Sequence, residues 1–130
     1  MNIKKLLGLS ITAFVLNAGL FTDASAESIR LKCESRNSPP RAKISVDGRG
    51  FGPGQYRAVV RSGKVQRVST LPLSPVDGEV EFDFDSKRND VKEGATFIRP
   101  TFIKNNRVTA TIIDQDGFAV APQAKTCRSR

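Results

Sequence analysis

Residues 79–85 read EVEFDFD, and this stretch decides the fold class. Apolar side chains at positions 80, 82 and 84 alternate with carboxylates at the positions between and beside them. Consecutive side chains of a β-strand point to opposite faces, so the stretch predicts a strand with one buried and one solvated face. The same period of two recurs in residues 29–33, 42–46, 56–61 and 108–112. Since no long run has the helical period of 3.6 residues, we expect an all-β chain.

Turn signals connect these segments into hairpins. The dipeptide Ser62-Gly63 predicts a tight turn, after which residues 64–70 return as the partner strand. Residues 114–117 read DQDG and predict a second turn, after which residues 118–125 return. Short strands joined in this way are typical of antiparallel sheets.

The remaining segments complete the expected architecture. Residues 96–103 form an apolar run broken by Pro100, which favours an edge strand or a bulge. The glycine-rich residues 48–54 predict a turn between strands, and at most one helical turn fits near residues 89–93. Seven or eight short strands predict a single antiparallel β-sandwich of immunoglobulin-like architecture. A small β-barrel is the alternative, because closure also removes sheet edges.

Residues 1–26 have the layout of a secretory signal peptide. Lys4 and Lys5 form a basic start, residues 6–21 are largely apolar, and residues 24–26 read ASA, a small-residue cleavage site. The apolar stretch is shorter than the roughly 20 residues that a membrane-spanning helix needs. We therefore expect export by the general secretory route to the periplasm or the exterior. The expected mature domain covers residues 27–130 and contains no transmembrane segment.

The two cysteines, Cys33 and Cys127, lie near the two ends of the expected mature domain. An oxidising compartment favours one intramolecular disulfide between them. A Cys-x-x-Cys motif, the usual form of a redox-active pair, is absent from the sequence. The sequence also has no Trp, so any likeness to antibody domains concerns architecture alone.

Three short segments resemble those of a group of small secreted bacterial proteins with an immunoglobulin-like β-sandwich. They are residues 78–86 (GEVEFDFDS), 93–96 (EGAT) and 100–103 (PTFI). Together with the cysteine pair, the resemblance covers most of the expected mature chain. It implies a secreted bacterial domain and brings no activity or site residues.

The charge of the chain is high and uneven. The sequence holds 21 Lys and Arg against 13 Asp and Glu, a formal charge of +8, and it has no His. The missing His excludes a Ser-His-Asp triad and His-ligated metals. Bases dominate residues 27–71, whereas acids dominate residues 72–93. These features favour a non-catalytic module over an enzyme, and a carboxylate-based hydrolase is the weakest of the alternatives.

The basic residues predict a possible anion-binding surface. Several of them alternate with core positions, so they should point outward from their strands. A surface of this kind attracts anionic polymers or lipid headgroups. The candidates are Arg30, Lys32, Lys43, Arg57, Arg61, Lys64 and Arg67. We expect a binding, adhesion-type or structural module that contacts an anionic surface or a protein partner. Few aromatic residues lie among these bases, which disfavours nucleic-acid binding by base stacking. Basic charge alone is not sequence-specific, so we expect no sequence-specific recognition of nucleic acid. The alternative is that the bases merely keep the domain soluble.

The acidic segment suggests a second function, a calcium-stabilised module without any other cofactor. Calcium takes six to eight oxygen ligands. The candidate ligands are Asp83, Asp85, Asn89, Asp90 and Glu93. An EF-hand beginning at Asp83 fails, because Lys87 and Arg88 occupy its fifth and sixth positions. The alternative is a solvated strand face whose acids are neutralised by neighbouring bases.

Overall fold

The structure is a computed structural model that describes residues 27–120 and 122–130. The predicted signal peptide lies outside the described residues. Nine strands and one short helix make up the described chain. They are β1 (Ser28–Asn37), β2 (Pro40–Arg49), β3 (Tyr56–Ser62), β4 (Val65–Val68), β5 (Val80–Asp85), α1 (Arg88–Lys92), β6 (Thr96–Phe97), β7 (Arg107–Asp114), β8 (Gln123–Thr126) and β9 (Arg128–Ser129).

The strands form two stacked sheets, which confirms the predicted sandwich. Sheet A has the strand order β6-β5-β2-β1-β9, and sheet B has the order β4-β3-β7-β8. In the described part of the chain these sheets stay separate instead of closing into the alternative barrel. Most pairings are antiparallel, but β9 joins β1 and β6 joins β5 in parallel. Both parallel strands have two residues each, so they extend the edges of sheet A only slightly.

The core lies between the sheets and follows the predicted alternation. In β5, Val80, Phe82 and Phe84 are buried, whereas Glu81 and Asp83 point outward. The inward residues of the other long strands pack against them. The core comprises Leu31, Cys33, Ala42, Ile44, Val46, Phe51, Tyr56, Ala58, Val60, Val80, Phe82, Phe84, Ile98, Phe102, Val108, Ala110, Ile112 and Cys127.

The predicted disulfide is present. Cys33 lies on β1 of sheet A, and Cys127 lies between β8 of sheet B and β9 of sheet A. Both sulfurs belong to buried residues, so the bond ties the two sheets together from within the core. It closes a loop with a sequence separation of 94 residues.

The structure departs from the sequence-based expectation mainly in residues 96–103. Only Thr96–Phe97 forms a strand there, and the following residues form a loop in which Ile98 and Phe102 are buried. The apolar residues of this run therefore belong to a loop that covers the core, and not to a strand. The helix occupies Arg88–Lys92, close to the single turn expected near residues 89–93. None of the described helical segments is long and apolar enough to cross a membrane.

The glycine-rich connection between β2 and β3 closes one end of the sandwich. It contains no helix, in agreement with the turn that the sequence predicts. A Cβ on Gly48 would lie 2.6 Å from side-chain atoms of both Ile112 and Phe51. Gly48 therefore lets the buried Phe51 ring pack directly on the strand. That ring meets Tyr56 edge to face, with 5.0 Å between centroids.

Candidate functional site

The seven bases that the sequence singles out do not share one surface. Three of them, Arg30, Lys32 and Lys43, lie on the outer face of sheet A. Arg57 and Arg61 lie on the outer face of sheet B, on the opposite side of the sandwich. The other two are on the hairpin at the edge of sheet B, Lys64 in its turn and Arg67 in β4.

On the outer face of sheet A, bases alternate with acids across the strands. Arg30 lies opposite Asp47, and Asp47 lies opposite Glu81 on the next strand. Lys43 lies opposite Glu34 on one side and Asp85 on the other. A shallow concavity of about 660 Å³ on this face is lined by charges of both signs. The charged lining residues are Lys32, Glu34, Lys43, Glu81, Asp83, Lys125 and Arg128.

One pair on this face is repulsive. The neighbouring Asp47 carboxylate raises the pKa of Glu81 above its ordinary value, with smaller contributions from burial and from Asp83. Lys32 opposes this shift but does not cancel it. The outer face of sheet A is therefore close to balance, with a local excess of negative charge along β5.

Sheet B has a different outer face. β3, β4 and β8 contain no acid, and Asp114 at the end of β7 is the one carboxylate in the four strands. Three further bases join this side from the loop before β7 and from its first residue, and sequence reasoning missed them. We call the resulting cluster the basic face. It consists of Arg61 and Arg107 on the outer face of sheet B, Lys64 in the β3–β4 turn, and Arg67, Arg99 and Lys104 beside the edge strand β4.

A buried serine places two of these bases next to the hairpin. The hydroxyl of Ser62, which is buried at the end of β3, donates a hydrogen bond of 2.7 Å to the carbonyl oxygen of Arg107. The hydroxyl oxygen of Ser62 in turn accepts a hydrogen bond of 2.6 Å from the backbone N–H of Lys104. Because both partners of Ser62 are main-chain groups, the 104–107 turn is fixed against β3 and carries its two basic side chains to the β3–β4 turn.

A groove runs between β4 and residues 97–104. It has a volume of about 470 Å³. Ile98 and Phe102, both nearly inaccessible, form its apolar floor. Arg67 crosses it to donate from Nε to the carbonyl oxygen of Phe97 at 3.1 Å. Three bases and no carboxylate line the groove. The bases are Arg67, Arg99 and Lys104.

The basic face lacks internal compensation. Among residues 27–120 and 122–130, every ion pair involves Arg36, Arg41 or Arg130, and none involves a base of this face. Arg61 donates to the neutral side-chain oxygen of Gln66 at 3.2 Å. Like charges concentrated on one side of a small domain create a positive field that reaches about a Debye length, roughly 8–10 Å, into physiological saline.

The acidic segment contains a structural ion cluster. The carboxylate of Asp85 is 1% exposed and accepts two hydrogen bonds from Arg41, at 3.1 and 2.8 Å. Arg41 also donates to Asp90 at 2.8 Å, and the backbone N–H of Lys87 donates to Asp85 at 2.9 Å. Burial opposes ionisation of Asp85, but these donors outweigh it and lower its pKa. The hydrogen bond with the Asp85 carboxyl raises the pKa of Asp90.

The calcium candidates are only partly assembled. Asp83, Asp85, Asp90 and Glu93 line one cleft of about 510 Å³, whereas Asn89 does not. Asp83 accepts a hydrogen bond from the Ser45 hydroxyl at 2.9 Å. In the described chain no three acidic or thiol side chains converge as a metal site would require. Calcium binding stays a prediction, and an ion there would compete with the guanidinium of Arg41 for Asp85 and Asp90.

No protein-family model matches the chain, and no curated protein matches its sequence. Function is therefore inferred from the geometry of the chain's own residues.

Proposed function

We propose that the protein is a secreted or periplasmic, non-catalytic binding module that contacts an anionic partner through its basic face. The buried disulfide supports the compartment, since such bonds persist where the surroundings are oxidising. The proposed interaction needs no reacting group. It requires a fixed scaffold, which the sandwich provides, and a cluster of cations without local counter-charges.

The observation that carries the proposal is the contrast in charge compensation between the two sides of the sandwich. The bases on sheet A lie opposite or beside acids, so much of their field is cancelled at short range. The six bases of the basic face lie within a region that has no ion pair among the described residues. An anionic ligand would relieve their mutual repulsion on binding. It would do so without breaking any existing interaction between charged side chains.

The test compares two triple variants that remove the same charge from different faces. Arg61→Gln, Lys104→Gln and Arg107→Gln neutralise the basic face, whereas Arg30→Gln, Lys32→Gln and Lys43→Gln neutralise sheet A. Both variants and the wild type are eluted from immobilised heparin with a salt gradient. Heparin is an anionic polymer, so the salt needed for elution reports the number and spacing of the cations that contact it.

We expect the basic-face variant to elute at much lower salt, with affinity at fixed salt reduced about tenfold or more. The sheet A variant should elute close to the wild type. Equal shifts for the two variants would mean that net charge alone governs retention, and the proposed site would be wrong. Circular dichroism of each variant confirms that the sandwich is intact.

The proposed compartment has its own test. Expression of the full chain in a bacterium with a general secretory pathway, followed by mass spectrometry of the exported fraction, should give a mature chain beginning at Glu27. Retention of residues 1–26 in the cytoplasmic fraction would contradict export.

A further inference from the structure

The edge of sheet B at β4 presents backbone groups in a defined pattern. Residues of an antiparallel pair alternate between those that exchange hydrogen bonds with the partner strand and those whose N–H and C=O point away. The N–H of Ser69 donates to the carbonyl of Ala58 at 2.8 Å, so this pair is a hydrogen-bonded one. Counting back by two residues makes Arg67 and Val65 hydrogen-bonded to β3 as well.

The hairpin turn gives the same parity independently. Val65 pairs with Ser62 across a two-residue turn, the position at which a tight hairpin closes with a hydrogen-bonded pair. The N–H and C=O groups of Gln66 and Val68 therefore point away from β3. Within residues 27–120 and 122–130, no backbone hydrogen bond outside the strand pairings engages either residue.

This open edge borders the groove of the basic face. Val65, Gln66 and Arg67 form one wall of the groove, and Phe97 and Lys104 belong to the opposite side. Apolar side chains are exposed along this boundary, with Val65 and Phe97 each 43% accessible. Unpaired strand groups, apolar surface and cations thus meet at one place.

We propose that the anionic partner is an extended acidic peptide segment that adds as a strand to the edge of β4, an inference that rests on the proposed binding function. The main chain of the peptide would pair with the outward N–H and C=O groups of Gln66 and Val68. Alternate peptide side chains would enter the groove, apolar ones over Ile98 and Phe102 and acidic ones toward Arg67, Arg99 and Lys104. Strand addition to an exposed sheet edge is a recurrent mode of peptide recognition.

The other edges of the sandwich are less suited to this role. β6 and β9 have two residues each, so they offer little length for pairing. β8 has four residues, but it packs near β1 where the disulfide joins the sheets. β4 also has four residues, and at about 3.4 Å per residue it spans roughly 14 Å. This length suits a short linear segment, whereas an anionic polysaccharide has no amide backbone whose evenly spaced N–H and C=O groups could match the outward groups of β4.

The experiment measures binding of a fluorescent octapeptide of alternating Glu and Val by anisotropy, with a Lys-Val octapeptide as the charge control. Two further Glu-Val peptides carry N-methyl groups on every second amide, one in each register. N-methylation removes peptide donors and blocks pairing without changing charge. We expect the unmodified peptide to bind, and at least one methylated register to bind about tenfold or more weakly. The Lys-Val peptide should not bind.

A protein variant tests the same contact from the other side. Val68→Pro removes one outward N–H, whereas Val68→Ala shortens the side chain and keeps the N–H. We expect Val68→Pro to weaken peptide binding about tenfold and Val68→Ala to change it less than threefold, with heparin elution unaltered in both. Because the methylated peptides leave the protein unchanged, they decide the question even if Val68→Pro perturbs the hairpin.

The outcomes separate this inference from the proposed function. Equal affinity for methylated and unmethylated Glu-Val peptides would show that charge alone holds them and would overturn strand addition. Heparin retention without peptide binding would also overturn it and would leave the basic face as a site for another anionic polymer. If the wild-type protein bound neither heparin nor the Glu-Val peptide, the proposed function itself would be contradicted.

Discussion

The outer faces of both sheets carry bases, but the surroundings of these bases differ. On sheet A, a base such as Arg30 lies opposite Asp47, and Arg41 is held by the buried Asp85. On sheet B, Arg61 has a neutral partner, Gln66, and the loop bases beside it form no ion pair in the described chain. Through Arg41, charge on sheet A joins β2 to β5 and to α1. The bases on the side of sheet B have no ionic partner in the described chain, and the proposed ligand would supply one.

This contrast shows that the position of a base along the sequence does not reveal its role. Arg30 and Arg61 both alternate with core residues on strands, and both point outward. They differ because β2 places Asp47 opposite Arg30, whereas the residues opposite Arg61 on β4 and β7 are Gln66 and Thr109. The neighbouring strand, which the sequence alone does not identify, therefore decides whether a base lies beside an acid.

The largest effect should come from removing the link that holds the two faces in one scaffold. Replacing Cys33 and Cys127 with Ala opens a loop with a sequence separation of 94 residues. In the chain-entropy description this costs about 4–5 kcal/mol of unfolding free energy, a large share of the 5–15 kcal/mol typical of a domain. Urea unfolding of the variant, with the reduced wild type as control, measures it. A loss below about 1 kcal/mol would mean that the core alone joins the sheets.

A matched pair of arginine variants tests the contrast between the faces directly. Arg41→Met leaves the buried carboxylate of Asp85 without its guanidinium, and we expect a loss of about 3 kcal/mol. Arg61→Met removes an exposed base that has only a neutral partner, so its unfolding free energy should change by no more than about 0.5 kcal/mol. Denaturant titration measures the unfolding free energy of each variant and of the wild type. Equal losses in the two variants would contradict the distinction between a base that stabilises the fold and a base that does not.

The loss of stability at acid pH tests the structural role of Asp85. The folded state lowers the pKa of Asp85, so its contribution is complete above the unfolded value of about 3.9 and is lost as the pH falls through the folded value. Asp85→Asn should cost about 2 kcal/mol at neutral pH, since hydrogen bonds to charged groups are lost. Its stability should also fall less steeply than that of the wild type below about pH 4. If the stability of the wild type and of Asp85→Asn fell equally steeply below about pH 4, this account of Asp85 would be wrong.

The strand pattern made much of the fold predictable from the sequence. Alternation in residues 79–85 and 108–112 determines which side chains face the core, and this does not depend on which strand lies beside them. Two cysteines allow only one disulfide pairing. The loop at residues 98–103 escaped prediction because a buried loop over a core and a buried strand share the same apolar composition. Periodicity cannot distinguish them when the segment is short.

The candidate site was harder to predict, because it depends on contacts between distant parts of the chain. Arg61 and Lys64 were among the predicted bases, but Lys104 and Arg107 join them through Ser62, more than forty residues away. A cluster of bases in the last third of the sequence was the available signal. Its meaning depended on whether residues 96–103 formed a strand or a loop that returns to β3.

The smallest effects are expected from two variants that each change a single carboxylate, one on each sheet. Glu81 has a raised pKa because it faces Asp47, so its charge opposes folding, and this cost grows as the pH rises through its folded pKa. Glu81→Gln should therefore raise the unfolding free energy at neutral pH by about 0.2–0.5 kcal/mol, and the gain should vanish below about pH 4. Gln66→Glu makes the converse change beside Arg61 and should stabilise by a similar amount. Both gains should shrink in high salt, because the two sites are exposed. If the two carboxylates changed stability in the same direction, the faces would not differ in their local field.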